Sequence, residues 1–252
     1  ARIRRVVWAG LVMGLTLWQR AVYLAAGIGS WMAAMCFAKP SSGRRVMGMA
    51  ALWLGIALMI IAPWVMRNYG LFHRVVLTTD AAHILWLGNN PSSNGTYSDQ
   101  EGTRVFYLAD PRFQQRVMGA SELEQYDLFL SEVRRFIKES PAQFGGLVLR
   151  RLWAFGWFSP NAGVGYAGGE RVLYQVWYVG LLGLGVAGMR LFWRRATSPA
   201  CAQAVMVLAA VAGLAVAHAV TAINMKHRVP FELVLAIFAA ETIAQGIAAV
   251  RG

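Results

Sequence analysis

Five cationic side chains stand apart from the other basic residues and could bind an anion together. They are Arg20, Arg67, Lys226, His227 and Arg228, and each interrupts or follows an apolar run. A guanidinium group carries a planar fork of donors that matches phosphate oxygens. The group therefore predicts a site for an anionic lipid phosphate. The alternative is that each side chain extends separately to lipid headgroups.

The other chemically active residue types form no recognisable set. The four histidines lack metal-ligand spacing, and His218 is expected to be a core residue bonded to a neighbouring helix. Two G-x-G-x-x-G matches, at residues 163–168 and 183–188, lack the preceding strand of a dinucleotide site and are expected in a loop and in a packed helix. Cys36 and Cys201 lie in apolar runs and are expected to be small core residues.

The composition places these residues in a membrane protein. Of the 252 residues, 57% are hydrophobic and 14% are charged, against about 25% charged in an average soluble domain. The net charge of +12 does not indicate nucleic-acid binding, because residues 67–171 contain 11 basic and 10 acidic side chains. The excess lies in short clusters between apolar runs, as at cytoplasmic membrane edges.

About six transmembrane helices are predicted. Four apolar runs of about 20 residues could each cross the membrane, and a longer first run is interrupted at Arg20. We expect that run to form two helices, of which the first is the shorter. The runs are residues 6–18, 21–37, 46–65, 172–190, 202–223 and 229–250.

The charge clusters orient these helices. Basic residues precede residue 6, follow residue 37 (Lys39, Arg44, Arg45) and follow residue 190, which predicts that these ends are cytoplasmic. The fold predicted is therefore an all-α, multi-pass protein of the inner (cytoplasmic) membrane. It has transmembrane helices in 1–66, a large external loop region in 67–171 and further transmembrane helices in 172–252.

The external region contains its own helical signals. Residues 75–79 and 84–87 could be short strands or extended segments. Ser121 and Glu124 form a capping box, and Leu123, Tyr126, Leu130, Val133 and Ile137 predict an apolar helix face that packs on the membrane domain. Residues 147–158 predict a helix at the outer interface, with Arg150 and Arg151 at its polar edge.

Six short segments follow one another over most of the chain: GLTLWQR at 14–20, APWVMRNY at 62–69, LWLGNNP at 85–91, FIKESP at 136–141, LRRLW at 149–153 and KHRVPFE at 226–232. In their order and spacing they resemble the GT-C class of membrane glycosyltransferases, which use polyprenyl-phosphate-linked sugars. More narrowly, they resemble the bacterial dolichyl-phosphate-mannose-protein mannosyltransferase-like group.

The resemblance implies inverting transfer of a sugar from an isoprenoid-phosphate carrier to a glycan, lipid or protein acceptor at the outer face. It implies that the carrier phosphate binds Arg20, Arg67, Lys226 and Arg228. Glu232 lies one turn beyond Arg228 and is expected to pair with it. The polar residues near the LWLGNNP segment are then expected to contact sugar or acceptor. These are His83, Asn89 and Asn90.

The family's base is an acidic residue in the first external loop, often acting with a divalent metal such as Mg or Mn. That loop belongs to the N-terminal half of the family's proteins. This chain begins at Ala1 and enters its first helix at once, so we expect it to be the C-terminal part of such an enzyme, inactive alone and without the main metal ligands. Asp80 is the acid nearest a family-like segment and the catalytic candidate here, although the family usually has Asn or Gly there.

Two other functions remain open at this stage. One is a different lipid-linked glycan enzyme, such as an O-antigen polymerase or ligase, which also carries a large external loop. The other is a transporter or a non-catalytic membrane scaffold. A transporter should show internal repeats with interrupted helices at matching positions, and the sequence has no convincing repeat.

Overall fold

The computed structural model describes residues 2–37, 42–99, 101–158 and 168–251. Across these residues the chain is all-α, with two isolated β-bridges and no β-strand. Lys39 and residues 163–167 of the first glycine motif lie outside the described residues. The helices are α1 (Arg2–Gln19), α2 (Tyr23–Cys36), α3 (Gly43–Phe72), α4 (Ala81–Gly88), α5 (Pro111–Met118), α6 (Glu122–Glu139), α7 (Pro141–Gly156), α8 (Gly168–Arg195), α9 (Ser198–Val220) and α10 (Val229–Arg251).

The predicted all-α membrane fold is confirmed. Four segments within the described ranges are long and apolar enough to cross a membrane: Gly43–Phe72, Gly168–Arg195, Ser198–Val220 and Met225–Val250. The predicted break at Arg20 is also present. The prediction that the first of the two helices is the shorter is wrong, since α1 has 18 residues and α2 has 14.

Glycines bring α1 and α3 together. A β-carbon added at Gly10 would lie 2.9 Å from Cβ of Ile56, and one at Gly14 would lie 2.5 Å from Cβ of Ile60. From the first contact to the second, the residue number rises by four on both helices, so α1 and α3 run parallel. The Gly10-x-x-x-Gly14 spacing therefore acts as a packing motif, as such motifs do in membranes.

The other long helices also pair. Ala25 and Gly29 of α2 meet Gly213 and Ala209 of α9, so these helices are antiparallel. Gly185 and Gly188 of the second glycine motif meet Leu235 and Phe238, so α8 and α10 run parallel. These directions bring one end of every long helix to the same side of the bundle. We call it the loop end; it holds the α1–α2 turn, the C-termini of α3 and α9, and the N-termini of α8 and α10.

Helices α4, α5 and α6 form an extramembrane unit with an aromatic core. Trp86 is stacked on Phe113 with ring centroids 5.3 Å apart and lies 5.2 Å from Phe129. Residues 84–87 belong to α4 rather than to a strand, because their apolar side chains pack on α6. Residues 75–79 contain no helix and no strand, so of the two predicted segments only 84–87 contradicts both alternatives by being helical.

Helix α6 begins as predicted but faces differently. The Glu124 carboxylate accepts hydrogen bonds from the Ser121 N–H (2.7 Å) and hydroxyl (2.6 Å). The buried face is centred on Phe129, Val133 and Phe136. This face packs mainly into the extramembrane core. The prediction that it packs on the membrane helices is therefore wrong.

Helix α7 connects this unit to the bundle. It starts at Pro141, where α6 has ended, and packs along α9. Its buried side chains recur at every fourth position: Leu147, Arg151 and Phe155. Arg150 is exposed, but Arg151 is buried and not at a polar edge. The two cysteines are not core residues either, since Cys36 is exposed and Cys201 half-buried.

Candidate functional site

Two buried histidines form the centre of the loop end. The rings of His218 and His227 are stacked, with centroids 3.9 Å apart and an interplanar angle of 10°. His218 lies in the last turn of α9. His227 lies in a 3-10 helix, Met225–Arg228, that connects α9 to α10. Its Nδ1 lies 3.2 Å from the backbone N–H of Asn224, which fixes the ring.

The His218 ring is only partly satisfied. Its Nδ1 is buried and has no hydrogen-bond partner among the described residues. The prediction that His218 is buried is confirmed, but its neighbour is a second imidazole. A buried polar atom without a partner is costly, so this nitrogen marks a place where a hydrogen-bonding group of a ligand would be stabilising.

Two exposed cations flank the imidazole pair. Arg20 lies in the turn between α1 and α2, and its charge acts on both His218 and His227. Lys226 precedes His227 and acts on it in the same way. Both side chains are exposed, and no carboxylate pairs with either among the described residues. They are therefore available to an anion.

Tyr97 connects this cationic region to an acidic one. Its ring meets that of His227 edge-on, with centroids 6.2 Å apart. Burial raises the pKa of Tyr97, the charge of Arg20 opposes the rise, and the Asp80 carboxylate adds to it. The Tyr97 hydroxyl is thus within electrostatic reach of both charges and is protonated at neutral pH.

Asp80 has a histidine partner. Its Oδ1 lies 3.0 Å from His83 Nδ1, and its side chain is 60% exposed. The His83 ring packs on Phe129 with centroids 4.8 Å apart. The carboxylate is therefore open to solvent while its partner is held by the extramembrane core. We refer to the whole set as the loop-end cluster; it comprises Arg20, Asp80, His83, Tyr97, His218, Lys226 and His227.

Arg228 faces away from this cluster. Its Nε donates to Glu232 at 2.8 Å, as predicted, its Nη1 donates to the Trp157 carbonyl at 2.9 Å, and its Nη2 contacts the Tyr174 hydroxyl. The guanidinium carbon lies 3.8 Å from the Tyr178 ring centroid. Each of its three nitrogens contacts a protein group, and with a relative exposure of 1% the Arg228 side chain is closed to a ligand from solvent.

Arg67 also lies apart from the imidazole pair. It belongs to α3, which continues to Phe72, beyond the predicted boundary at residue 66. Its guanidinium lies over the Trp64 ring at 5.1 Å and donates to Asn68 Oδ1 at 3.2 Å. Of the four predicted phosphate ligands, Arg20 and Lys226 are the two whose charges act on His227.

A second buried arginine holds the extramembrane unit on the bundle. Arg151 donates to the Ala219 carbonyl on α9, the Gly88 carbonyl on α4, and Asn89 Oδ1 at 2.9 Å. Burial lowers the pKa of Arg151 to about 10, so the group stays charged at neutral pH. Asn89 also donates to the Val220 carbonyl at 2.7 Å.

The two asparagines predicted to contact sugar or acceptor serve the fold in this structure. Asn89 has no exposed surface. Asn90 is 2% exposed, its amide donates to the Trp86 carbonyl at 2.7 Å, and its oxygen accepts from the Ser92 N–H. His83 remains partly exposed beside Asp80. Of the three residues predicted to contact sugar or acceptor, His83 is therefore the one whose side chain keeps exposed surface.

Two residues had no signal in the sequence for the positions they take: Tyr97 in the loop-end cluster and Arg151 at the joint with the bundle. Tyr97 follows a turn and belongs to no periodic pattern. Arg151 resembles its neighbour Arg150, and only the carbonyl groups around it distinguish the two. Within the described residues no group of three His, Cys, Asp or Glu side chains could hold a metal ion.

No family model, no curated protein and no solved structure matches the chain.

Proposed function

We propose that this chain takes part in transferring a sugar from an isoprenoid-phosphate carrier to an acceptor at the loop end of the bundle. In this proposal the loop end faces the outside of the inner membrane. The observation that carries it is the pairing of two exposed cations, Arg20 and Lys226, with a buried imidazole pair where membrane helices meet the extramembrane unit.

This location suits a lipid-linked phosphate. The carrier keeps its tail among the helices and its phosphate at the interface, where Arg20 and Lys226 are open. Electrostatic interactions are stronger beside buried, low-dielectric groups than in water. His218 Nδ1, buried and without a partner among the described residues, offers one more polar atom next to these cations.

The proposed reaction places charge where these cations lie. The acceptor hydroxyl oxygen forms a bond to the anomeric carbon, and the bond from that carbon to the phosphate oxygen breaks. The electron pair leaves with the phosphate, whose added negative charge is stabilised by Arg20 and Lys226. The acceptor proton passes to a carboxylate base, for which Asp80 is the candidate in this chain.

The two predicted ligands outside the cluster receive other roles. Arg228 is a positioning residue: its contacts with Glu232 and Trp157 fix the 3-10 helix that carries Lys226 and His227. Arg67 marks the end of α3 beside the same face of the membrane. The family resemblance implies a divalent Mg or Mn ion, but no group of three His, Cys, Asp or Glu side chains among the described residues could hold one, and no step is assigned to it.

Binding of the carrier headgroup tests the proposal. The purified chain in detergent is titrated with farnesyl phosphate, and bound lipid is measured by native mass spectrometry. Arg20→Gln and Lys226→Gln should each weaken binding about tenfold, because a charge-assisted hydrogen bond is lost. Both cations are exposed, so the midpoint of thermal unfolding should remain within the range of ordinary surface substitutions.

Two controls make this result specific. Arg150→Gln removes an exposed cation from α7 that lies outside the loop-end cluster, and it should leave binding unchanged. Farnesol, which has the same tail without the phosphate, should bind equally to all variants. Wild-type affinity for farnesyl phosphate in both Arg20→Gln and Lys226→Gln would exclude the proposed donor site.

A further inference from the structure

A second candidate site lies in the extramembrane unit. It is a cleft of about 830 Å³ between the end of α4, helix α5 and helix α6, a size typical of ligand-binding pockets. Asn90 lines this cleft, whereas its neighbour Asn89 contacts α9. The cleft is therefore on a different side of the α4 terminus from the contact with the bundle.

The cleft has an apolar floor and a polar wall. Trp86 and Phe113 form the floor and are stacked on each other. They are buried at 2% and 6% exposure, so the core fixes them beneath the cleft, and the open apolar surface comes from Pro91 and Ala109. Ser92 and Gln115 add a hydroxyl and an amide to the wall. Apolar surface with a few polar groups matches a sugar ring, which has C–H faces and hydroxyl edges.

The rim carries more positive than negative charge. Three arginines line it, with Asp110 and Glu132. Asp110 is occupied at the start of α5, where it accepts from the backbone N–H groups of Arg112 (2.7 Å) and Phe113 (3.2 Å). The remaining carboxylate is that of Glu132, which is shared between two of the three arginines, Arg116 and Arg135.

Glu132 does not pair closely with all of the arginines at the rim. It contacts Arg135 closely, but its oxygen lies 3.8 Å from Arg116. Arg112 has no carboxylate partner among the described residues. Arg112 and Arg116 are one helical turn apart on α5 and both are exposed. Two neighbouring guanidinium groups with unused donors are suited to a carboxylate from outside the chain.

We propose that this cleft binds an acidic saccharide through its carboxylate, with Arg112 and Arg116 as the anchors. The sugar ring lies in the cleft against Pro91 and Ala109, above the buried rings of Trp86 and Phe113. The assignment of this saccharide as part of the acceptor rests on the proposed function. The binding itself does not, because none of these residues belongs to the loop-end cluster.

The test is a calorimetric titration of the whole chain in detergent with trigalacturonate. Arg112→Gln and Arg116→Gln should each raise the dissociation constant about tenfold. Glu132→Gln should lower it several-fold, since this substitution removes the competing carboxylate from Arg116. Arg134→Gln, an exposed cation on α6 outside the cleft, is the matched control and should bind like the wild type.

Two further probes decide the ligand class. A neutral galactose trisaccharide should bind at least tenfold more weakly than trigalacturonate, and equal binding would overturn the role of the arginines. A tetraglutamate peptide should also bind more weakly, and equal or tighter binding would overturn the saccharide assignment. Unchanged trigalacturonate binding in both arginine variants would overturn the site.

This experiment is independent of the carrier test. If Arg20→Gln and Lys226→Gln retain farnesyl phosphate binding while trigalacturonate binding requires Arg112 and Arg116, the saccharide site stands and the proposed transfer fails. If the reverse holds, the transfer proposal stands and the acidic saccharide is rejected.

Discussion

The buried arginines and the exposed cations of the loop end show two opposite uses of the same charge. Arg151 and Arg228 are both 1% exposed, and their donors are taken up by carbonyl groups, a carboxylate and aromatic rings of the protein. Arg20 and Lys226 lie at the same end of the bundle with their charges open. The first pair stabilises the fold, and the second pair is left for a ligand.

The largest effect should follow from removing Arg151. Arg151→Leu leaves the carbonyls of Gly88 and Ala219 and the Asn89 oxygen without their donor. Because each buried unsatisfied group costs about 1–3 kcal/mol, we expect a loss of roughly 3–5 kcal/mol. The measurement is chemical unfolding in detergent, with Arg150→Leu as the neighbouring control. A change of similar size in both variants would show that Arg151 is not an anchor.

A smaller loss is expected at the ion pair on α10. Arg228→Met leaves the Glu232 carboxylate half-buried without its cation, which should cost about 3 kcal/mol. The double variant with Glu232→Leu should recover part of this loss, because the uncompensated charge is gone. A double-mutant cycle on unfolding free energies measures the coupling. Strict additivity of the two substitutions would contradict the described pairing.

The smallest effect is expected at an exposed charge with a local partner. Hydrogen bonds from the Ser121 hydroxyl and backbone lower the pKa of Glu124 below its ordinary value of 4.5. A carboxyl group whose pKa is lowered by folding stabilises the protein above its unfolded pKa, and this contribution is lost as the pH falls through the folded pKa. Glu124→Gln should therefore lower the unfolding midpoint near neutral pH more than at pH 3. An equal shift of the unfolding midpoint at both pH values would contradict the capping role of Glu124.

The sequence predicted the features that depend on local patterns. The break at Arg20, the start of α6 and the pairing of Arg228 with Glu232 all involve residues within a few turns of one another. The capping box, for example, needs only the backbone of its own helix. These expectations were confirmed because no distant segment could alter them.

The remaining features depend on distant segments. Arg151 is buried because the carbonyls of Gly88 and Ala219, more than 60 positions away in either direction, converge on it. Residues 84–87 are helical because α6 covers them, although their short apolar run resembles a buried strand. Tyr97 enters the site only after the turn before it has been brought beside His227.

The Arg151 contact also constrains the order of events during synthesis. The chain is made from its N-terminus, so α4 and α7 are complete before the end of α9 that carries the Ala219 carbonyl. Until α9 has entered the membrane, Arg151 lacks one of its three acceptors and remains hydrated. The extramembrane unit therefore locks onto the bundle only after α9 has been inserted, and completion of this joint is a late step in biogenesis.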